Sequence, residues 1–390
     1  MNRVEDELIV VHAGFDGLDL AIRTNTPESL VTFLEEGKAV AQEMLSDIWS
    51  TFNGRMIQVG QSGKRGGYAY TFKVDGFGAT WFAKRPKATD PWGLFVSLGS
   101  RELALHGLVK TQARLEEICA ELGFRSHPDG VSINRADFAV DILAPSFEPN
   151  PDHFVFHSRM NRKDRAQFED LETNGHSGRI TSVTIGKMPG RQVILYDKRE
   201  EVMKRRKNEW PVIWNAALRA QGLSPISLAD RESSQVWRAE FRLGKEGLRR
   251  RRNIRNWSAF YMHLQEEMDR LATDIQLTRP TTDSNRSRWP AHAFWARAQR
   301  TLAKQLFDHD AEVPAQTIAA LDHDQKCTDL LKMIAALSVT LAYHEGKCPD
   351  TFPLFCAGLT QRIQRFIANH PRSLVKRFAE AAKKHGSLAH

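Results

Sequence analysis

The sequence predicts an α+β fold, with an antiparallel sheet and flanking helices over the N-terminal two-thirds and an all-helical C-terminal domain. Three observations predict it. Strand-like alternation recurs in Asn134-Arg135-Ala136-Asp137-Phe138-Ala139-Val140-Asp141 and in Val236-Trp237-Arg238-Ala239-Glu240-Phe241-Arg242-Leu243. Glycine-rich turn signals punctuate residues 55–98. After Leu248 no convincing strand pattern remains, and helical patterns take over.

In chain order, residues 18–23 read as a first strand. Thr26-Pro27-Glu28-Ser29 opens a helix to about Phe52, with Thr26 as its cap and Pro27 in its first turn. Short strands fill 55–98, with hairpin signals at Gly66-Gly67 and Asp75-Gly76. A helix runs from Ser100 to Leu122, stops at Gly123 and leads into a strand at 131–143. Pro145 to Pro151 starts a connection, and strands follow near 153–158, 179–187 and 191–197. A helix carries Glu200 to Gly222, interrupted by Pro211, and a strand at 235–243 closes the set. Helical patterns then cover 256–274, 289–308, 313–322, 325–346, 351–369 and 371–385. The domains expected are 1–250, a basic helical connection at 251–276, a linker at 277–290 and a helical domain at 291–390.

Side chains two apart on a strand share a face. One face of the first acid strand therefore carries Arg135, Asp137, Ala139 and Asp141, and the opposite face is apolar. In the second, Arg238, Glu240 and Arg242 oppose Trp237, Ala239, Phe241 and Leu243. Between them in the chain lies Val193-Ile194-Leu195-Tyr196-Asp197-Lys198, apolar on both faces until Tyr196, which shares a side with Ile194 and Lys198. Surface strands often alternate Arg with acids for modest cross-strand gain. Two Asp on one face, however, repel unless an Arg or a cation lies between them. A tyrosine, acids and arginines on one sheet face of a basic chain suggest a nuclease that attaches itself to DNA.

The formal charge of +8 over 390 residues favours an acidic partner, nucleic acid above all. Four cysteines without a Cys-x-x-Cys pair read as reduced cytosolic thiols. Met1 to Asp6 is charged with no apolar run behind it, and no 18-residue apolar stretch occurs, so a cytoplasmic protein without membrane contact is expected. Arg249-Arg250-Arg251-Arg252 directly follows the second acid strand and reads as a DNA contact. Lys204-Arg205-Arg206-Lys207, Lys64-Arg65 at a hairpin tip and Lys84-Arg85-Pro86-Lys87 are similar candidates. His153 and His157 would stand about 13 Å apart on a straight strand, too far for one ion. Asp308-His309-Asp310 and Asp322-His323-Asp324 read as helix-boundary caps.

The blocks Arg135-x-Asp137-x-x-x-Asp141, Ser182-Val183-Thr184-Ile185-Gly186, Leu195-Tyr196-Asp197-Lys198-x-x-Glu201 and Arg238-x-Glu240-x-Arg242 together resemble the replication initiation factor family of rolling-circle plasmid and phage initiators and related conjugative-element relaxases. Gly14-Phe15-Asp16-Gly17-Leu18-Asp19-Leu20-Ala21-Ile22 resembles its opening strand, and the likeness spans roughly 14 to 250. The resemblance implies a sequence-specific single-strand nick, with Tyr196 attacking phosphorus and remaining linked to the 5′ phosphate. Asp137, Asp141 and Glu240 are the expected metal ligands, and an all-oxygen set without a His-hydrophobic-His motif favours Mg²⁺ or Mn²⁺. Lys198 is expected to lower the Tyr196 phenol pKa or to contact phosphate; Arg135, Arg238 and Arg242 are expected to contact DNA. Of the other tyrosines, Tyr261 is the fallback nucleophile, while Tyr68, Tyr70 and Tyr343 read as packing residues. The partners expected are origin DNA with an inverted repeat, a host helicase or polymerase, and a second copy of the chain. The competing reading is a non-catalytic, sequence-specific DNA-binding regulator built on the same sheet.

Overall fold

The strand signals converge on one antiparallel sheet. The computed structural model describes residues 8–125, 130–156, 171–176, 178–304, 306–307 and 313–385. Met1 to Asp6, His157 and Asp308-His309-Asp310 lie outside the described residues. The strands are β1 (Ile9–Ile22), β2 (Ile48–Phe52), β3 (Arg55–Val59), β4 (Tyr70–Val74), β5 (Ala79–Ala83), β6 (Leu94–Leu98), β7 (Val131–Leu143), β8 (Phe154–Phe156), β9 (Leu171–His176), β10 (Arg179–Gly186), β11 (Arg191–Asp197), β12 (Val236–Gly244) and β13 (Ile275–Leu277). Eleven of them form one sheet in the order β2-β3-β4-β5-β6-β1-β7-β12-β11-β10-β9, and β8 and β13 pair separately.

Helices α1 (Glu28–Glu43) and α2 (Ser100–Glu121) precede the acid strand. Helices α3 (Lys198–Arg205), α4 (Glu209–Ala220), α5 (Lys245–Arg250), α6 (Trp257–Asp274) and α7 (Ala293–Lys304) follow. Last come α8 (Ala315–His344), α9 (Phe352–Ala368) and α10 (Leu374–His385).

One sheet face is continuously apolar. Leu18 and Leu20 of β1, Phe138 and Val140 of β7, Phe241 of β12, and Val193 and Leu195 of β11 are buried in one core with Leu264, Met268 and Trp295 of α6 and α7. This is the apolar half of the alternation visible in the sequence. Over the opposite face, α4 buries Trp210, Ile213 and Trp214 with Val11 and Val236 in a second core.

The local differences from the sequence reading have identifiable causes. β1 begins at Ile9 instead of 18, because register shifts at Val10/His12, Phe15/Gly17 and Asp19/Leu20 break its period of two. The first helix ends at Glu43, and β2 follows it. Asn53 and Gly54, both at positive φ (47° and 82°), make the two-residue turn that pairs Phe52 with Arg55. Thr26 does not cap α1; its hydroxyl donates to the Lys84 carbonyl at 2.7 Å. The helix expected over 200–222 breaks at Arg206, which adopts φ 53°, and Pro211 lies in the first turn of α4, where its missing N–H leaves no intrahelical bond unmade. A short strand, β13, exists beyond Leu248. Residues 313–322 and 325–346 join in the single helix α8, inside which Asp322 pairs with Arg101 at 2.8 Å instead of capping an end.

The first compact unit runs to Asp324 and the second from Gln325. Residues 277–290 belong to the first: Thr278 N–H and hydroxyl donate to the His153 carbonyl at 2.9 and 2.7 Å, and Arg279 N–H donates to Pro290 O at 2.8 Å. The second unit is helical. Leu331, Ile334, Tyr343, Leu354, Phe366, Val375 and Phe378 within it are exposed. Among the described residues no helix is long and apolar enough to cross a membrane.

Candidate active site

The register of β7, β12 and β11 brings the three acid, arginine and tyrosine segments side by side. Asp141 faces Arg238, which faces Tyr196; Asp137 faces Arg242, which faces Gln192. Glu240 stands between Ala139 and Ile194. Ser182 of the fourth block lies opposite Tyr196 on β10. All these side chains share the face opposite the main core.

The face carries two charge clusters. The first is centred on Arg238, which is fully buried. Its Nε and Nη2 donate to the two carboxylate oxygens of Asp141 at 2.5 and 2.8 Å, and Nη1 donates to Asp16. Trp214 Nε1 donates to Asp141 Oδ2 at 2.8 Å, and the guanidinium lies 4.2 Å from the Trp210 ring centroid. Burial alone would raise the Asp141 and Asp16 carboxyls, but Arg238, helped by Lys198 and His12, holds both below the usual value.

Asp16 reaches this cluster because of the register shift between Phe15 and Gly17, which inserts one residue and turns its side chain to the charged face. Sequence reasoning quoted Asp16 within a block but gave it no role. The signal was present, since Phe15 and Leu18 are both buried three residues apart, where regular alternation would separate them by two. Trp210 and Trp214 were also missed, and nothing local in the sequence aims α4 at this face.

The second cluster is Arg135, Asp137, Glu240 and Arg242. Arg135 donates to Asp137 from Nε at 2.9 Å and pairs with it again through Nη2. Arg242 Nε donates to Glu240 Oε1 at 2.6 Å and lies 3.9 Å from Asp137 Oδ2. Both carboxylates are 1% exposed, whereas the arginines are 34% and 24% exposed, so the arginines form the solvent-facing side of the cluster. Burial pushes the Asp137 carboxyl up to about 7, opposed by Arg135 and reinforced by Glu240. Gly17 makes room for Asp137: a Cβ there would approach Asp137 Oδ2 to 2.8 Å.

This division corrects the expected metal set. Asp137 and Asp141 stand four apart on one strand, about 13 Å along it, and Asp141 is saturated by Arg238 and Trp214. Among the described residues no three His, Cys, Asp or Glu side chains gather to hold an ion. Of the three, Asp137 and Glu240 lie near enough to one another for Glu240 to raise Asp137. Glu240 Oε2 is buried without a hydrogen-bond partner, and a cation beside it would satisfy that oxygen and keep Asp137 ionised.

Tyr196 is half-buried at the edge of the first cluster. Burial raises its phenol well above the usual value, and Arg238 is the main group opposing the rise. Lys198 differs from expectation. It is the first residue of α3, capped by Asp197, whose side chain accepts from Glu200 N–H at 2.9 Å. Its Nζ lies 5.7 Å from the Tyr196 ring centroid and 4.3 Å from that of Trp210, and it donates to Glu201 at 2.6 Å. Burial and Arg238 lower the Lys198 pKa, opposed by Asp16, Asp141 and Glu201, and its ion pair is with Glu201.

The arginine run starts within α5. Arg249 donates to the Ser132 hydroxyl at 3.0 Å, Arg252 pairs with Glu266, and Arg250 and Arg251 are exposed. Tyr261 donates to Gln112 at 2.8 Å and stacks on Trp257, a packing role.

No family model matches the chain, and no curated protein matches it. Among solved structures, the chain is similar to a rolling circle replication initiator protein from Geobacillus stearothermophilus, at 15% identity over 77% of this chain and 98% of that one, with a TM-score of 0.40. A likeness this distant does not by itself assign an activity.

Proposed function

We propose that this chain is a replication initiator that nicks one DNA strand by tyrosine transesterification and so starts rolling-circle replication of a plasmid, phage or mobile element. The observation that carries the reading is the register Asp141–Arg238–Tyr196 across three adjacent strands, which gathers the family-like blocks at one place. In the reaction Tyr196 Oη forms a bond to phosphorus and the bond from phosphorus to the 3′ oxygen breaks. The phenol proton passes to solvent and a proton from solvent goes to the departing 3′ oxygen, so charge and protons balance. Arg238, held rigid by Asp16 and Asp141, favours the phenoxide over the neutral phenol. Arg135 and Arg242, being solvent-reachable, bind the backbone phosphates, as do residues of the run Arg249 to Arg252. A divalent cation, if used, is held by Asp137 and Glu240 and supplies charge withdrawal from a phosphate. Origin DNA with an inverted repeat, a host helicase or polymerase, and a second copy of the chain complete the proposed partners.

Two observations favour the rival, a non-catalytic regulator. The Tyr196 phenol is strongly disfavoured as an anion, and all three nitrogens of Arg238 are engaged by protein carboxylates. Incubation with supercoiled origin plasmid separates the two: relaxation with protein covalently retained supports the enzyme, whereas binding without relaxation supports the regulator.

A further inference from the structure

The charged face continues past β1 onto strands that the proposed chemistry does not use. Asp19 of β1 faces Arg135 on one side and Ser97 of β6 on the other, and the Ser97 hydroxyl donates to Asp19 at 2.6 Å. Two residues along β6 is Phe95, paired in register with Phe82 of β5. Their ring centroids are 5.9 Å apart, and Tyr68 lies 5.8 Å from Phe95 and 6.5 Å from Phe82. None of the three rings belongs to the core on the other face, and all are partly solvent-exposed.

Cations sit directly on these rings. Lys64 Nζ is 3.6 Å from the Phe95 centroid and 4.5 Å from that of Phe82; Lys84 Nζ, paired with Asp90 at 2.7 Å, is 4.5 Å from that of Tyr68. Arg65 and Lys73 are exposed nearby, Lys73 on the same strand face as Thr71, which pairs with Phe82. The loop carrying Lys64 is built to lie close to the sheet. Gly63 cannot accept a Cβ, which would meet the Tyr68 carbonyl oxygen at 2.0 Å, and Gly66 and Gly67 adopt φ of 93° and 85°.

We propose that Tyr68, Phe82 and Phe95, with Lys64 and Lys84, form a stacking site for unpaired bases of single-stranded DNA. Every base presents a π-face, so three neighbouring rings accept successive bases without sequence preference. Lys64, which rests on two of the rings in the free protein, is placed to move to a backbone phosphate once bases occupy the rings, and Lys84 stays beside Tyr68 in its pair with Asp90. The charge pattern selects nucleic acid over an apolar protein partner. By register the site leads through Ser97 and Asp19 to Arg135 and the second charge cluster. The site rests on the nicking proposal only in its purpose, which is to hold the strand beside the cut.

The test is fluorescence anisotropy of the full chain with an oligothymidine lacking any origin sequence, alongside oligouridine and a duplex of equal length. The Phe82→Leu, Phe95→Leu double variant keeps apolar bulk and removes the stacking planes. It is expected to bind oligothymidine about tenfold or more weakly, with duplex binding unchanged. Unaltered oligothymidine binding by the folded variant overturns the site, as does tighter binding of oligouridine than of oligothymidine by the wild type. If the variant does not fold, photocrosslinking of an iodouracil oligonucleotide to the wild-type protein decides: adducts on Tyr68, Phe82 or Phe95 support the site, and adducts confined elsewhere overturn it. Covalent adduct formation at Tyr196 is scored separately. Its absence with Phe82-dependent binding removes the nicking reading and leaves this site standing.

Discussion

Arg238 and Asp141 face each other in register across β12 and β7 and are joined by two hydrogen bonds of 2.5 and 2.8 Å, with neither side chain exposed to solvent. The pair is closed on its remaining sides by Asp16, Trp210 and Trp214. It therefore anchors β12, the neighbour of the strand that presents Tyr196, to β7. The expected metal ligand Asp141 is spent in it.

Replacing Arg238 by Met removes the main counter-charge of Asp141 and Asp16 and leaves Asp141 buried. We expect a loss of about 3–5 kcal/mol of stability, measured as a lowered denaturant midpoint at unchanged slope. A loss under about 1 kcal/mol would mean that water enters the cluster on substitution.

The same pair sets a pH dependence. Asp141 and Asp16 have folded-state pKa values depressed below their ordinary value of 3.8. Their contribution to stability is thus present above the unfolded pKa and lost as pH falls from about 5 through the folded values. Unfolding midpoints measured between pH 6 and 3 should fall for the wild type and fall less steeply for Asp141→Asn.

Separation of the two acid clusters makes a metal test discriminating. If Mn²⁺ binds between Asp137 and Glu240, it should raise the thermal midpoint of the wild type by mass action. Glu240→Gln should abolish the rise, and Asp141→Asn, though less stable, should retain it. A rise lost in Asp141→Asn as well as in Glu240→Gln would reinstate the three-carboxylate ligand set expected from sequence alone.

Electrostatic binding should be additive in phosphate contacts. If Arg250 and Arg251 each neutralise one phosphate, the doubly alanine-substituted protein should bind duplex DNA with a slope of log affinity against log salt reduced by about 2. An unchanged slope would remove the run from the interface.

Much of the site's face was legible, because a period of two is a strong constraint. Arg238-x-Glu240-x-Arg242 and Arg135-x-Asp137 lie on the face that alternation assigns, with Phe138 and Phe241 in the core behind them. What was not legible depends on features that break or escape the period. The inserted residue in β1 turned Asp16 inward, and the three-residue pair β8–β13 is too short to show alternation. Asn53-Gly54 was a readable turn signal that strong helical patterning upstream obscured. Partner choice was the least legible. Whether Asp141 meets a cation or Arg238 depends on side-chain reach across strands, as does whether Lys198 meets Tyr196 or Glu201, and composition does not encode that reach.

The central claim is that Tyr196 is the nucleophile, and the most direct measurement is covalent capture. A labelled single-stranded origin oligonucleotide is incubated with the full chain and resolved on a denaturing gel. The wild type should give a shifted protein–DNA adduct. Tyr196→Phe, which lacks only the hydroxyl, should give none while binding the same oligonucleotide with nearly unchanged affinity. An adduct of equal yield from Tyr196→Phe would contradict the account and direct attention to Tyr261.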